Sequence, residues 1–145
     1  MTIANPSHFV LPGGTVMTEH RSDAISFTVP GVFPSLNVLN KWHWAKRARL
    51  RKSIAWQILA ALPDRTKLMQ PEKHVMIVDI VIYQPHRRLD QDNAEGEMKA
   101  FVDSLRSLGL IFRDSPKWLK KTIEQEIDRK NPRVEISIKE FEATP

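Results

Sequence analysis

The chain of 145 residues contains no cysteine. That excludes a disulfide framework, a thiolate nucleophile and a Cys-ligated zinc, and it points to a reducing, cytoplasmic setting. No stretch approaches the roughly 18 consecutive apolar residues of a membrane span, and the first residues lack a basic-then-apolar export signal. The expectation is a cytoplasmic protein with no membrane partner. Nucleotide signatures are missing as well: there is no Walker loop, no G-x-G-x-x-G turn and no G-x-S-x-G elbow. The five histidines, His8, His20, His43, His74 and His86, show neither H-x-H nor H-E-x-x-H spacing. Hydrolase triads and small-molecule cofactors therefore lack support, and no internal repeat or low-complexity tract is present.

What remains is the composition of one globular domain, with 41% hydrophobic residues and a net charge of +5. The excess charge is local. Lys41, Lys46, Arg47, Arg49, Arg51 and Lys52 fall in one window with no acid, so the rest of the chain nets −1. A polyanion, nucleic acid before a membrane surface, is the expected partner. Trp42, His43 and Trp44 lie among these cations, and basic groups beside aromatic rings suit phosphate neutralisation with base or sugar stacking. The other reading of Trp42 and Trp44 is that they belong to the core.

Residues 1–23 carry Pro6, Pro12, Gly13 and Gly14 with scattered apolar positions and read as a flexible leader; the domain is 24–145. Alternation over Ile25, Phe27 and Val29 ahead of Pro30-Gly31 predicts a half-buried strand and a turn. Leu50, Ile54, Ile58 and Ala61 share one helix face, predicting a helix over 45–62 that Pro63 ends, with Arg49, Lys52 and Trp56 facing away from that stripe. Residues 74–83 are rich in β-branched side chains on both faces, which predicts a central strand covered on both sides. Met98, Phe101, Val102, Leu105 and Leu108 form a stripe that predicts a helix over 92–108, ended by Gly109. Ile123 and Ile127, then Val134, Ile136 and Ile138, alternate on either side of Asn131-Pro132 and predict a C-terminal β-hairpin. The sum is an α+β domain: a small mixed β-sheet, two packed helices and that hairpin.

The most informative stretch is Asp90-Gln91-Asp92-Asn93, after the central strand and its exit through Arg87 and Arg88. Carboxylates at i and i+2 on extended backbone point to one side, which suits a shared hard cation such as Mg²⁺. The alternative is a cap, Asp92 or Asn93 opening the helix with Glu95 completing a capping box. In the helix, Asp92, Lys99, Asp103 and Arg106 occupy a sector of about 60° at about 100° per residue, opposite the apolar stripe. Lys99 can then project toward whatever anion the metal binds, though charges opposite an apolar stripe are also the rule for a surface helix. If Leu110 to Phe112 form a strand beside the central one, Asp114 can complete a three-carboxylate cluster; otherwise it is a solvated turn residue before Ser115-Pro116.

Four ordered landmarks span most of the chain, from Phe27 to Ile138. They are Pro34-Ser35-Leu36-Asn37 with Trp42 nearby, Asp90-Gln91-Asp92-Asn93, Lys99 with Asp103 and Leu105, and Gly109 through Asp114. In order and spacing they resemble the RusA-type Holliday-junction resolvases: the P-S-x-N segment, the D-x-D-N signature, the K-x-x-x-D-x-L helix and the G-x-x-x-D-D element. The resemblance implies a RusA-like homodimer, and Mg²⁺, or Mn²⁺ in its place, held by Asp90, Asp92 and Asp114. It makes Lys99 the catalytic lysine and four-way DNA junctions the substrate, cut by paired phosphodiester hydrolysis in recombination and repair. DNA would be held by Asn37, Lys41, Trp42, Lys46, Arg47, Arg49, Lys52, Arg87 and Arg88.

Two positions depart from the family pattern. Its lysine follows the second aspartate by four residues, where this chain has Gly96. Lys99 follows Asp92 by seven, either because the helix has a looser start or because it starts on time with Lys99 one turn further along, a shift of about 4.5 Å. Arg113 replaces the first acid of the family's terminal pair. A non-catalytic junction- or single-strand-binding protein of the same fold, and a Mg²⁺-dependent nuclease for other branched DNA, are the competing readings.

Overall fold

The computed structural model describes residues 24–63 and 74–141, so the expected leader over residues 1–23 lies outside the described residues. The described residues form four strands and three helices: β1 (Ile25–Pro30), α1 (Leu36–Leu39), α2 (Trp44–Ala61), β2 (Met76–Gln84), α3 (Gln91–Ser107), β3 (Leu119–Ile127) and β4 (Arg133–Glu140). They form a mixed α+β fold in which the sheet order is β1-β4-β2-β3. β4 runs antiparallel to both β1 and β2, whereas β3 runs parallel to β2.

Alternation explains the strands. Phe27 and Val29 of β1, Val78, Ile80 and Ile82 of β2, and Val134, Ile136 and Ile138 of β4 are all buried, and register pairs such as Ile80 with Ile136 put them on one face. Ile54 and Ile58 of α2 and Met98, Phe101 and Leu105 of α3 complete that core. The other face of β2, Ile77, Asp79, Val81 and Tyr83, is only half-buried. β2 is thus interior in the sheet as expected, but its expected burial on both faces is corrected: among the described residues the core packs on one side.

The expected C-terminal hairpin is also corrected. β3 and β4 do not pair with each other; β2 lies between them. The link after β3 crosses the end of β2, where the Asp128 N–H donates to the Gln84 carbonyl at 2.8 Å. Asp128 then holds the turn, accepting from the Lys130 and Asn131 N–H groups and from Arg133. β2 and β4, each burying three aliphatic side chains, take the two interior positions, and the link over residues 128–132 steps over the end of β2.

α2 begins at an N-cap, His43, whose Nδ1 accepts from the Ala45 N–H, and ends at Leu62 before Pro63. α3 ends as its sequence predicts. Gly109 adopts φ +81°, its N–H donates to the Arg106 carbonyl, and the Leu110 N–H reaches back to the Leu105 carbonyl, the paired bonds of a Schellman motif. Leu110 and Ile111 are buried as the tail of this motif and form no strand. The partner that β2 acquires on that side is β3.

Candidate functional site

Asp90, and neither Asp92 nor Asn93, caps α3. Its Oδ1 accepts from the Asn93 N–H at 2.9 Å and its Oδ2 from the Asn93 side-chain amide at 3.3 Å. Glu95 takes no part in a capping box and instead accepts from Gln91 at 2.9 Å. Asp90 has extended backbone, but Gln91 and Asp92 are already helical, so the side-by-side projection of i and i+2 on a strand does not apply. Both carboxylates are nonetheless exposed at the same helix start.

Asn93 connects this helix start to a distant segment. Its Oδ1 accepts the Asn37 N–H at 2.9 Å across 56 residues of sequence. α1, capped by Ser35, is thereby held against α3, and the close approach explains Gly96. A Cβ at that position would collide with the Leu36 side chain, whose Cδ1 lies only 2.8 Å away. Gly96, the position at which the family pattern has lysine, cannot carry any longer side chain while α1 sits there. α3 also starts on time at Gln91 and runs unbroken, so of the two expected arrangements the structure has Lys99 one turn further along. Its ammonium is exposed and 3.8 Å from Asp103.

Asp114 is elsewhere. Leu119 opens β3 opposite Met76, the first residue of β2, and the Trp118 and Leu119 N–H groups both turn back to the Ser115 carbonyl. Asp114 therefore stands by the start of β2, while Asp90 and Asp92 follow its end; nine residues of strand, about 26 Å, separate the two places. Among the described residues no three His, Cys, Asp or Glu side chains converge to hold a metal ion. Two adjacent carboxylates suit a largely hydrated Mg²⁺, which takes one or two protein oxygens and keeps several waters.

The cations divide by what they touch. Lys41, Lys46, Arg49, Lys52 and Arg87 are exposed. Lys46 stacks its ammonium 4.0 Å from the ring of Trp42, which is half-buried. Arg47 donates to the Leu39 carbonyl at 3.3 Å and so ties α2 to α1. Arg88 donates to the Gln125 carbonyl at 3.1 Å and lies 4.0 Å from Glu126, bracing the loop before α3. Trp44 is 68% exposed, which removes it from the core. Because α1 is fastened to α3 through Asn37 and leads within four residues into α2, the basic window begins beside Asp90 and Asp92.

A buried polar cluster underlies the same helix start, and residue patterns alone did not reveal it. Gln84 at the end of β2 donates to Glu97 Oε1 at 3.2 Å and to Gln125 Oε1 at 3.1 Å. Gln125 clasps the backbone of Leu89, accepting from its N–H and donating to its carbonyl, both at 2.8 Å. Leu89 precedes Asp90, so this clasp sets where the cap stands. Burial raises the Glu97 carboxyl to about 7, against smaller lowering effects of hydrogen bonds from Gln84 and the Phe33 backbone. The sequence signal was available: Glu97 lies about 40° from Phe101 on the helix, at the edge of the apolar stripe.

No family model matches the chain, and no curated protein does either. No helix among the described residues is long and apolar enough to cross a membrane.

Proposed function

We propose that the protein is a Mg²⁺-dependent, structure-selective endodeoxyribonuclease that resolves four-way DNA junctions as a RusA-like homodimer in the cytoplasm, with Mn²⁺ able to replace Mg²⁺. The observation that carries the reading is the Asn37 to Asn93 hydrogen bond. It joins the P-S-x-N and D-x-D-N segments, two landmarks far apart in sequence, beside a pair of exposed carboxylates and a run of cations.

Asp90 and Asp92 would hold the ion, which when bound lowers the pKa of a water and neutralises phosphate charge. Asp90 does this while capping α3, which fixes its carboxylate to the helix axis. Arg87, exposed just before the acids, meets a phosphate, and Lys41, Lys46, Arg49 and Lys52 carry the junction arms. Lys99 stabilises charge on the phosphate, having to leave Asp103 to do so. Asp114 joins the acids only across a homodimer, supplied by the second copy. A two-fold protein also matches the two symmetric nicks that a junction needs.

The test is cleavage of a labelled four-way junction beside a linear duplex of the same sequence, with Mg²⁺ and with EDTA, for the wild type and Asp92→Asn. Paired nicks confined to the junction, to Mg²⁺ and to the wild type are expected. Junction binding without cutting by both proteins would replace this reading by a non-catalytic binding module, which the Lys99 to Asp103 ion pair favours. Equal cutting of flaps or forks would replace it by a general branched-DNA nuclease.

A further inference from the structure

Trp56, like Trp44, is an exposed tryptophan. It is 65% exposed in the middle of α2, a helix whose Ile54 and Ile58 are fully buried. An indole offers a large apolar face with one polar edge, and solvent is a poor partner for it. At about 100° and 1.5 Å per residue, Arg49, Lys52 and Trp56 lie within about 60° of one another over about 10 Å of helix. None of these three side chains has an ion pair, hydrogen bond or ring contact among the described residues. α2 contains five basic residues and no acid.

We propose that this outer face of α2 binds an unpaired nucleic-acid strand, with Trp56 stacked on a base and Arg49 and Lys52 on the phosphates beside it. The inference rests on the proposed action on DNA and deepens it, because it names unpaired nucleotides at the branch as what this face recognises. An aromatic ring can stack on a base only where that base face is open, which a continuous duplex denies. The nearest amide that could read a base edge, Gln57, is turned to Ser53 at 3.1 Å. Charge selects the partner class. A second copy of the chain would bring the same cations against themselves, and an anionic membrane would require a broad apolar face, whereas the apolar stripe of α2 is already spent on the core.

The experiment measures binding of a fluorescein-labelled single-stranded oligonucleotide and of the matching duplex by anisotropy, in EDTA so that no cutting occurs. Wild type, Trp56→Ala, Trp56→Phe and Arg49→Ala/Lys52→Ala are compared. Trp56→Ala is expected to weaken single-strand binding about 5- to 150-fold, the range for losing one stacked base, and to leave duplex binding unchanged. Trp56→Phe restores most of the loss. The double cation variant lowers the slope of log affinity against log salt by about 1.4, two phosphates' worth. The exposure of Trp56 predicts an unchanged urea midpoint for every variant.

Unchanged single-strand binding by Trp56→Ala overturns the proposal, as does an equal loss for strand and duplex. A shift from dimer to monomer in sedimentation equilibrium would make the face a self-interface and overturn it too, and so would binding to phosphatidylserine vesicles in preference to the oligonucleotide. The two readings fail differently. A wild type that binds neither strand nor junction sinks the proposed function, while junction cutting and single-strand binding untouched by Trp56→Ala sink this inference alone.

Discussion

Glu97→Gln should remove most of the pH dependence of stability between pH 5 and 8. The Glu97 carboxyl is 3% exposed, and burial raises it from 4.5 to about 7. Between those values the folded chain keeps a proton that the unfolded chain has released. Its contribution is therefore fully present below the unfolded value of 4.5 and is lost as the pH climbs through 7. Integrated from pH 5 to pH 8, the loss is about 2 to 3 kcal/mol, a large share of a small domain's stability. Glutamine keeps the shape and a carbonyl acceptor for Gln84 but has nothing to titrate. Urea unfolding of both proteins at pH 5, 6, 7 and 8 reads the effect, and the difference between the two slopes isolates position 97. Parallel profiles for the two proteins would refute the argument.

Other positions give equally direct outcomes. Gly96→Ala gains up to about 1 kcal/mol of helix propensity but collides with Leu36, an overpacking cost of about 1 to 3 kcal/mol, so a lower urea midpoint is expected and a raised one would show that α1 is not held as described. Asp90→Ala should cost about 1 kcal/mol through loss of the cap while Asp90→Asn costs little; if Asp90→Asn also leaves cleavage intact, Asp90 is a cap alone. Lys99→Ala, at an exposed side chain, should leave the fold unchanged and reduce cleavage, and full activity would retire the lysine's proposed role. Mixing Asp92→Asn with Asp114→Asn should restore one working site per mixed dimer if the acids meet across copies; an inactive mixture would show that they do not.

The helices were legible because their buried residues recur within the segment itself. Leu50, Ile54 and Ile58 mark α2, and Met98, Phe101 and Leu105 mark α3, while Gly109 marks the αL position that ends it. Strand existence was legible for the same reason, but strand partnership was not. Ile123 and Ile127 alternate identically whether β3 pairs with β4 or lies on the far side of β2, so the hairpin expectation had no local pattern to contradict it. The sequence shows the residues of the site but not their geometry. Asp90 and Asp92 were found together, but Asp90 is the cap and Asp92 the second residue of the helix, because an aspartate with extended backbone can turn its side chain onto the N–H three residues on. Asp114 joins the acids within one chain only if Leu110 to Phe112 form a strand, whereas Leu110 closes a helix and the chain needs a further turn before β3 begins, which leaves the alternative of a turn residue before Ser115-Pro116. Gly96 and Glu97 carry the most structural information in α3, and both act through residues more than ten positions away.

Among the described residues β4 is the last strand in sequence and also an inner one, and β1 pairs with no other strand. During synthesis, residues 24–127 can assemble the β2-α3-β3 unit, but β1 has no sheet to join until Arg133–Glu140 leave the ribosome and slide in beside β2. Closure of the sheet is thus built from contacts of long sequence separation, and until β4 arrives β1 and the free edge of β2 are exposed to pairing with other chains. Aggregation during expression should therefore depend on the integrity of β4 more than on that of any other strand.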